Sequence, residues 1–152
     1  MTVTTDVSAR PMKILLVEDN PSDVALTRTL LGKAMFPSQL SVAWDGEEAL
    51  AFLRRDDAFQ DSPTPDLILL DLNLPRKSGL EVLEELKADE ELRRIPVVVL
   101  STSAAERDVA SAYERHTNAY VTKPVDLDQF ALIISAIEEF WLGVCRLPEI
   151  AK

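Results

Sequence analysis

The 152-residue sequence has one cysteine, Cys145, and one histidine, His116. A single thiol cannot form an internal disulfide, which fits a reducing, cytoplasmic setting. The histidine stands in the charged run YERHTN (113–118) and reads as a surface residue or helix end, not as a phosphate carrier or metal ligand. Glycine is scarce, with four in all, and none belongs to a G-x-x-x-x-G-K-S/T or G-x-G-x-x-G nucleotide signature. No apolar run approaches the roughly 20 residues of a membrane span. The opening MTVTTDVSARP lacks an apolar core, so it is expected to be a loose polar lead-in over 1–11 and not a secretory signal. Basic residues are outnumbered, 16 Lys and Arg against 26 Asp and Glu, for a net charge of −10. Such a surface repels nucleic acid phosphates and anionic membranes, and no direct nucleic acid or membrane partner is expected.

Hydrophobic residues make up 47% of the chain, enough for one sizeable core in a single domain. Five runs of strand length stand out, at 12–17, 40–44, 66–70, 97–100 and 119–122. Most are apolar throughout, the pattern of strands buried on both faces of a parallel sheet. Helical patterns alternate with them. The first, over 21–34, starts with proline after a capping asparagine, Asn20. Four later helices are predicted to open with capping boxes at Asp45–Glu48, Ser78–Glu81, Ser103–Glu106 and Asp126–Gln129. The last carries an apolar stripe of Leu127, Phe130, Ile134, Ile137 and Trp141. This alternation predicts an α/β (βα)5 three-layer sandwich, a parallel sheet with helices on both faces. Right-handed crossovers restrict the topology, and the flavodoxin-like parallel order 2-1-3-4-5, with a switch point between strands 1 and 3, is the expected one. The folded domain is expected over 12–142, with QDSPTP (60–65) as a longer loop and 143–152 as a tail.

Ligands of open parallel sheets bind beyond the carboxyl ends of the strands. Strand 1 is followed by Glu18 and Asp19, strand 3 by Asp71, Leu72 and Asn73, strand 4 by Ser101 and Thr102, and strand 5 by Lys123. Three converging carboxylates repel one another, and a divalent cation relieves that. Oxygen-only ligands with open positions suit Mg²⁺. Asp19 and Asp71 are the best direct ligands; Glu18 is placed to act through water, and the Asn73 backbone carbonyl can add another oxygen. Asp71 is then the candidate nucleophile, able to hold a phosphoryl group as an acyl phosphate. The metal, the Lys123 ammonium and the Ser101 hydroxyl would offset charge on the phosphoryl oxygens. Asp19 and Asn20 could each merely cap a helix, and Ser101 could be a turn hydroxyl. Glu18, Asp19 and Asp71 taken together favour a site.

The segments LLVEDN (15–20), LILLDLNLP (67–75), VVLSTS (98–103) and YVTKP (120–124) resemble the receiver domain of two-component response regulators, in the order that family uses. The resemblance implies Asp71 as phosphoacceptor, Glu18 and Asp19 as the acidic pair, Ser101 as switch hydroxyl, Lys123 as the family's lysine and Tyr120 as the aromatic switch residue. It also implies a phosphohistidine donor on a sensor histidine kinase. The pair is Glu-Asp here where the family often has Asp-Asp, which bears on rates and metal geometry. RIPVVVLSTS (94–103), the loop before strand 3 and the ending FWLGVCRLP (140–148) resemble the small receivers that partner phytochrome-type histidine kinases. With no output domain expected after the receiver, output would be partner binding or phosphoryl relay to a downstream phosphotransfer or effector protein. The helix near Ser103, with only Val109, Ala112 and Tyr113 on its apolar side, is the expected moving part.

Three rivals are weaker. A receiver that never takes phosphate would not need Asp71, Lys123 and Ser101 together. An aspartyl phosphatase of the D-x-D kind would need a general acid where Asn73 stands. A flavin phosphate would be repelled by Glu18 and Asp19. Phe140, Trp141 and Leu142 could close the core or extend a surface covered by another subunit. Leu142, Val144, Leu147 and Ile150 are hard to bury in a short tail, so a two-fold homodimer through the last helix and tail is expected.

Overall fold

A computed structural model describes residues 11–33 and 36–148; the N-terminal lead 1–10, residue 34 of the first predicted helix and Ile150 of the tail lie outside the described residues. The strands are β1 (Met12–Val17), β2 (Ser38–Ala43), β3 (Leu67–Leu70), β4 (Val97–Ser101) and β5 (Ala119–Thr122). They form one parallel sheet of order β2-β1-β3-β4-β5, the expected flavodoxin-like order. The helices are α1 (Pro21–Gly32), α2 (Gly46–Arg54), α3 (Gly79–Ala88), α4 (Glu106–Glu114) and α5 (Leu127–Ile137).

The continuous apolar character of β1, β3 and β4 follows from two cores, one on each face. Alternate strand residues point to opposite sides. Leu15, Val17, Ile68, Leu70, Val97 and Val99 pack with Leu50 of α2, Leu83 of α3 and Ala112 of α4. Ile14, Leu16, Leu67, Leu69, Val98 and Leu100 pack with Val24 and Leu31 of α1 and with Phe130 and Ile134 of α5. Burying each such side chain contributes about 1.5–3 kcal/mol before the entropy of ordering is set against it.

Strand β2 starts two residues earlier than its apolar run suggests. Backbone pairing at the sheet edge takes in Ser38 and Gln39 opposite Met12 and Lys13, and leaves Trp44 beyond the strand and exposed. Asp66 lies outside β3; its side chain accepts from the Lys13 N–H at 2.9 Å. Of the four predicted capping boxes, only Ser78–Glu81 closes reciprocally. Glu48 reaches past Asp45 to the Trp44 N–H, and Asp126 accepts from Asp128. The box at Ser103 does not form: α4 begins at Glu106 after an extended Ala105, and the Ser103 hydroxyl instead donates to Asp108 at 2.5 Å.

The α5 stripe is also revised at both ends. Leu127, at the first helical position, is 66% exposed, and the helix packs against the sheet only from Phe130 onward. Past Ile137 the chain widens into a π-helical turn, Glu138–Val144, closed by Cys145 N–H donating to the Phe140 carbonyl. In a π turn residue i+5 returns to the same face. Leu142, five after Ile137, is therefore buried, contrary to its expected place on the surface, while Trp141 is half-buried. Val144 is exposed and Leu147 half-buried.

Candidate functional site

The parallel ladder brings four strand ends to one edge. Glu18 N–H donates to the Ala43 carbonyl, Asp71 N–H to Val17 and Lys123 N–H to Ser101. These bonds put Glu18, Asp71, Ser101 and Lys123, more than a hundred residues apart at the extremes, at one edge of the sheet. All four are buried, whereas Asp19 is exposed and forms the open side. Ligand oxygens of Glu18, Asp19 and Asp71 lie within 4.8 Å of one another. Three carboxylates and no nitrogen or sulfur donor make a set suited to a hard divalent cation such as Mg²⁺.

The Lys123 ammonium is 2.7 Å from Glu18 Oε1, 2.9 Å from Asp23 Oδ2 and 3.8 Å from Asp71 Oδ2. Glu18 Oε2 accepts from the Asn20 N–H at 3.2 Å, so both its oxygens are engaged by protein donors. Asp71 Oδ1 accepts from the Asn73 N–H at 3.2 Å, leaving the Oδ2 side facing Lys123. Burial pushes the Glu18 carboxyl up to about 7; the Lys123 hydrogen bond opposes that and the Asp71 charge adds to it. For Lys123, burial disfavours the charged form, but the hydrogen bonds to Glu18 and Asp23 outweigh it and hold the ammonium above its ordinary range.

Ser101 is fully buried at the end of β4, and its Oγ accepts from the Ser103 N–H at 3.2 Å. Tyr120 packs against the core on the α3 and α4 side, and its hydroxyl donates to the Ser103 carbonyl at 2.8 Å. One residue, Ser103, thus joins the hydroxyl to the aromatic ring. His116 is exposed in a left-handed conformation after α4, away from these groups, as expected of a helix end.

Two residues that the sequence patterns did not single out belong to this site. Asp23 in the first turn of α1 is a direct partner of Lys123. In sequence it is indistinguishable from an acidic residue complementing a helix N-terminus. Gly79 opens α3 behind Asp71, donating its N–H to the Leu72 carbonyl at 2.9 Å. A Cβ there would meet the Asp71 carbonyl oxygen at 2.3 Å and Leu72 Cα at 2.6 Å. Only glycine admits that approach.

No helix among the described residues is long and apolar enough to cross a membrane. The family model for the response regulator receiver domain matches residues 14–135. Response regulator Rcp1 of Synechocystis sp. is 46% identical over 143 residues, covering 94% of this chain and 97% of that protein. The crystal structure of the phosphorylated cyanobacterial phytochrome response regulator RcpA superposes with a TM-score of 0.89 at 48% identity, over 92% of this chain and all of that one. The Mn²⁺-bound form of Rcp1 superposes with a TM-score of 0.88 at 46% identity, over 91% of this chain and all of that one. Fold, matched span and relatives agree: this chain belongs to the response regulator receiver domain family.

Proposed function

We propose that this receiver accepts a phosphoryl group on Asp71 from the phosphohistidine of a sensor histidine kinase of the phytochrome type. The observation that carries it is the convergence of Asp71 with two further carboxylates, the Lys123 ammonium and the buried Ser101 hydroxyl at the carboxyl edge of the sheet. An Asp71 carboxylate oxygen attacks phosphorus as the bond from phosphorus to the histidine nitrogen breaks, and the imidazole leaves with the electron pair. Lys123 and Ser101 are the donors within this chain for the phosphoryl oxygens. Asp19, Asp71 and the Asn73 carbonyl would hold Mg²⁺, with Glu18 acting through water because Lys123 and Asn20 occupy its oxygens. The ion would offset negative charge on the transferred group. The chain serves as phosphoacceptor and assists its own phosphorylation and dephosphorylation; it is not an enzyme with a separate substrate.

The same geometry supports a switch. When Ser101 turns its hydroxyl toward a phosphoryl oxygen, its contact with the Ser103 N–H changes, and the Ser103 carbonyl is what Tyr120 holds. Helix α4 follows this loop and buries only Ala112, the fewest buried residues of the five α-helices, so it is the helix least restrained by packing. Faster amide exchange in α4 than in α3 is expected on phosphorylation; unchanged exchange would remove α4 as the moving part. Partner binding or onward phosphoryl relay in the cytoplasm is the proposed output. Exposed Leu132, Phe140 and Val144 at four- and eight-residue spacing support a homodimer through α5 and the π turn. Sedimentation as a monomer with and without phosphorylation would refute it.

The direct test is phosphotransfer from candidate kinases, with Mg²⁺ and with chelator, to wild type and Asp71→Asn. Labelling is expected of the wild type only, with Mg²⁺ only, and most readily from phytochrome kinases. Equal labelling of the variant would overturn Asp71 as acceptor, and labelling in chelator would overturn the metal assignment. Equal rates from unrelated kinases would overturn the phytochrome link.

A further inference from the structure

The two carboxylates that hold Lys123 differ in how readily they can be left. The Glu18 side chain is 4% exposed and the Asp23 side chain 30%. Leaving Glu18 strands a buried carboxylate beside Asp71, which is costly. Leaving Asp23 exposes a carboxylate that water reaches. Asp23 has a second compensation, because it occupies the first turn of α1, where the helix dipole favours negative charge. That turn does not depend on Lys123 to stay folded: the Asn20 side chain accepts from the Ser22 and Asp23 N–H groups. An ammonium has three N–H donors. Two are taken at 2.7 and 2.9 Å, and the Asp71 oxygen stands off at 3.8 Å.

We propose that Asp23 is a positioning residue that parks the Lys123 ammonium short of Asp71 and competes with the incoming phosphoryl group for it. This rests on Asp71 being the acceptor. Glu18 is the permanent anchor of the ammonium and Asp23 the exchangeable one. To reach an oxygen on a phosphorylated Asp71, Lys123 lengthens its contact with Asp23, not with Glu18. Removing the Asp23 carboxylate frees an N–H of the anchored ammonium for an oxygen of the incoming phosphoryl group. It also takes one negative charge from the face that an anionic donor approaches. Both effects act in the same direction, toward faster phosphorylation. The exchange also ties the first turn of α1 to the state of Asp71, since the phosphorylated form releases Asp23.

A small donor tests this without a kinase. With acetyl phosphate and saturating Mg²⁺, Asp71 oxygen bonds to phosphorus, the bond from phosphorus to the acetate oxygen breaks, and acetate leaves with the electron pair. Rate constants from intact-protein mass spectrometry are compared for wild type, Asp23→Ala, Asp23→Asn and Asp23→Glu, with Asp71→Asn as blank. Asp23→Ala and Asp23→Asn are expected to react about two- to fivefold faster, the weight of one partly screened ion pair. Asp23→Glu, which keeps the charge, is expected to return to the wild-type rate although thermal melting ranks it with the other variants. Labelled wild type with unchanged or slower Asp23→Ala and Asp23→Asn would overturn the competition while leaving Asp71 as acceptor. Absence of labelling in the wild type, or labelling of the blank, would overturn the Asp71 assignment and the inference with it.

Discussion

Replacing Glu18 with glutamine separates the cost of burying a charge from everything else that titrates in this acidic protein. Glu18 is 3% exposed and its carboxyl is raised from 4.5 to about 7, burial being the main cause. A carboxyl raised in the folded state adds stability that is complete below its unfolded pKa and is lost as pH rises through the folded one. The window is therefore from about 4.5 to about 7. Between about pH 5.5 and about pH 8 the linkage relation removes about 2 kcal/mol of stability from the metal-free protein through this one group. For a chain of this size that corresponds to a fall in Tm of about 4–8 °C. The other carboxylates also repel one another more at the higher pH, so the wild-type curve alone decides nothing. Glu18→Gln keeps an oxygen for the Lys123 ammonium and cannot ionise. The difference in Tm between wild type and Glu18→Gln, measured in chelator by calorimetry across this range, is expected to shift in favour of the variant by that amount as pH rises. Mg²⁺ is expected to shrink the shift by stabilising the ionised carboxylates. Parallel curves in chelator would refute a buried, proton-binding Glu18.

Three further substitutions probe the site and its frame. Lys123→Ala leaves the buried Glu18 and Asp71 without their cation, and a loss of about 3–5 kcal/mol is expected by chemical denaturation in chelator, partly restored by Mg²⁺; an unchanged midpoint would contradict the pairing. Gly79→Ala places a Cβ against backbone at Asp71 and Leu72, so a destabilisation of about 1–3 kcal/mol or more should accompany slower phosphorylation, and a neutral result would mean that α3 can move away. Leu142→Ala should cost about 2–5 kcal/mol while Val144→Ala in the same turn changes the monomer little, a contrast that equilibrium unfolding of dilute protein can read; equal costs would refute the π-turn phase.

The alternation of apolar runs with capped helical segments was sufficient for a parallel sheet with helices on both faces, because strands buried on both faces are apolar throughout. One-handed crossovers narrowed the strand order without deciding it, and the expected order 2-1-3-4-5 is the one observed. The cluster of Glu18, Asp19 and Asp71 was legible for a related reason: side chains that directly follow parallel strands must emerge at one edge. Which partner Lys123 takes was not legible. It depends on Angstrom-scale placement of α1 against the end of β5, and Asp23 carries no sequence mark that separates a salt bridge from a helix-end carboxylate. The need for glycine at 79 likewise arises only when α3 docks behind Asp71. Leu142 moved from the predicted surface to the core through one extra residue in a helical turn, a change of phase that backbone packing decides and side-chain pattern does not encode. Local sequence thus set the elements and the edge on which the chemistry gathers. Tertiary packing set the distances between charges, and Coulomb energies in a buried cleft depend on those distances.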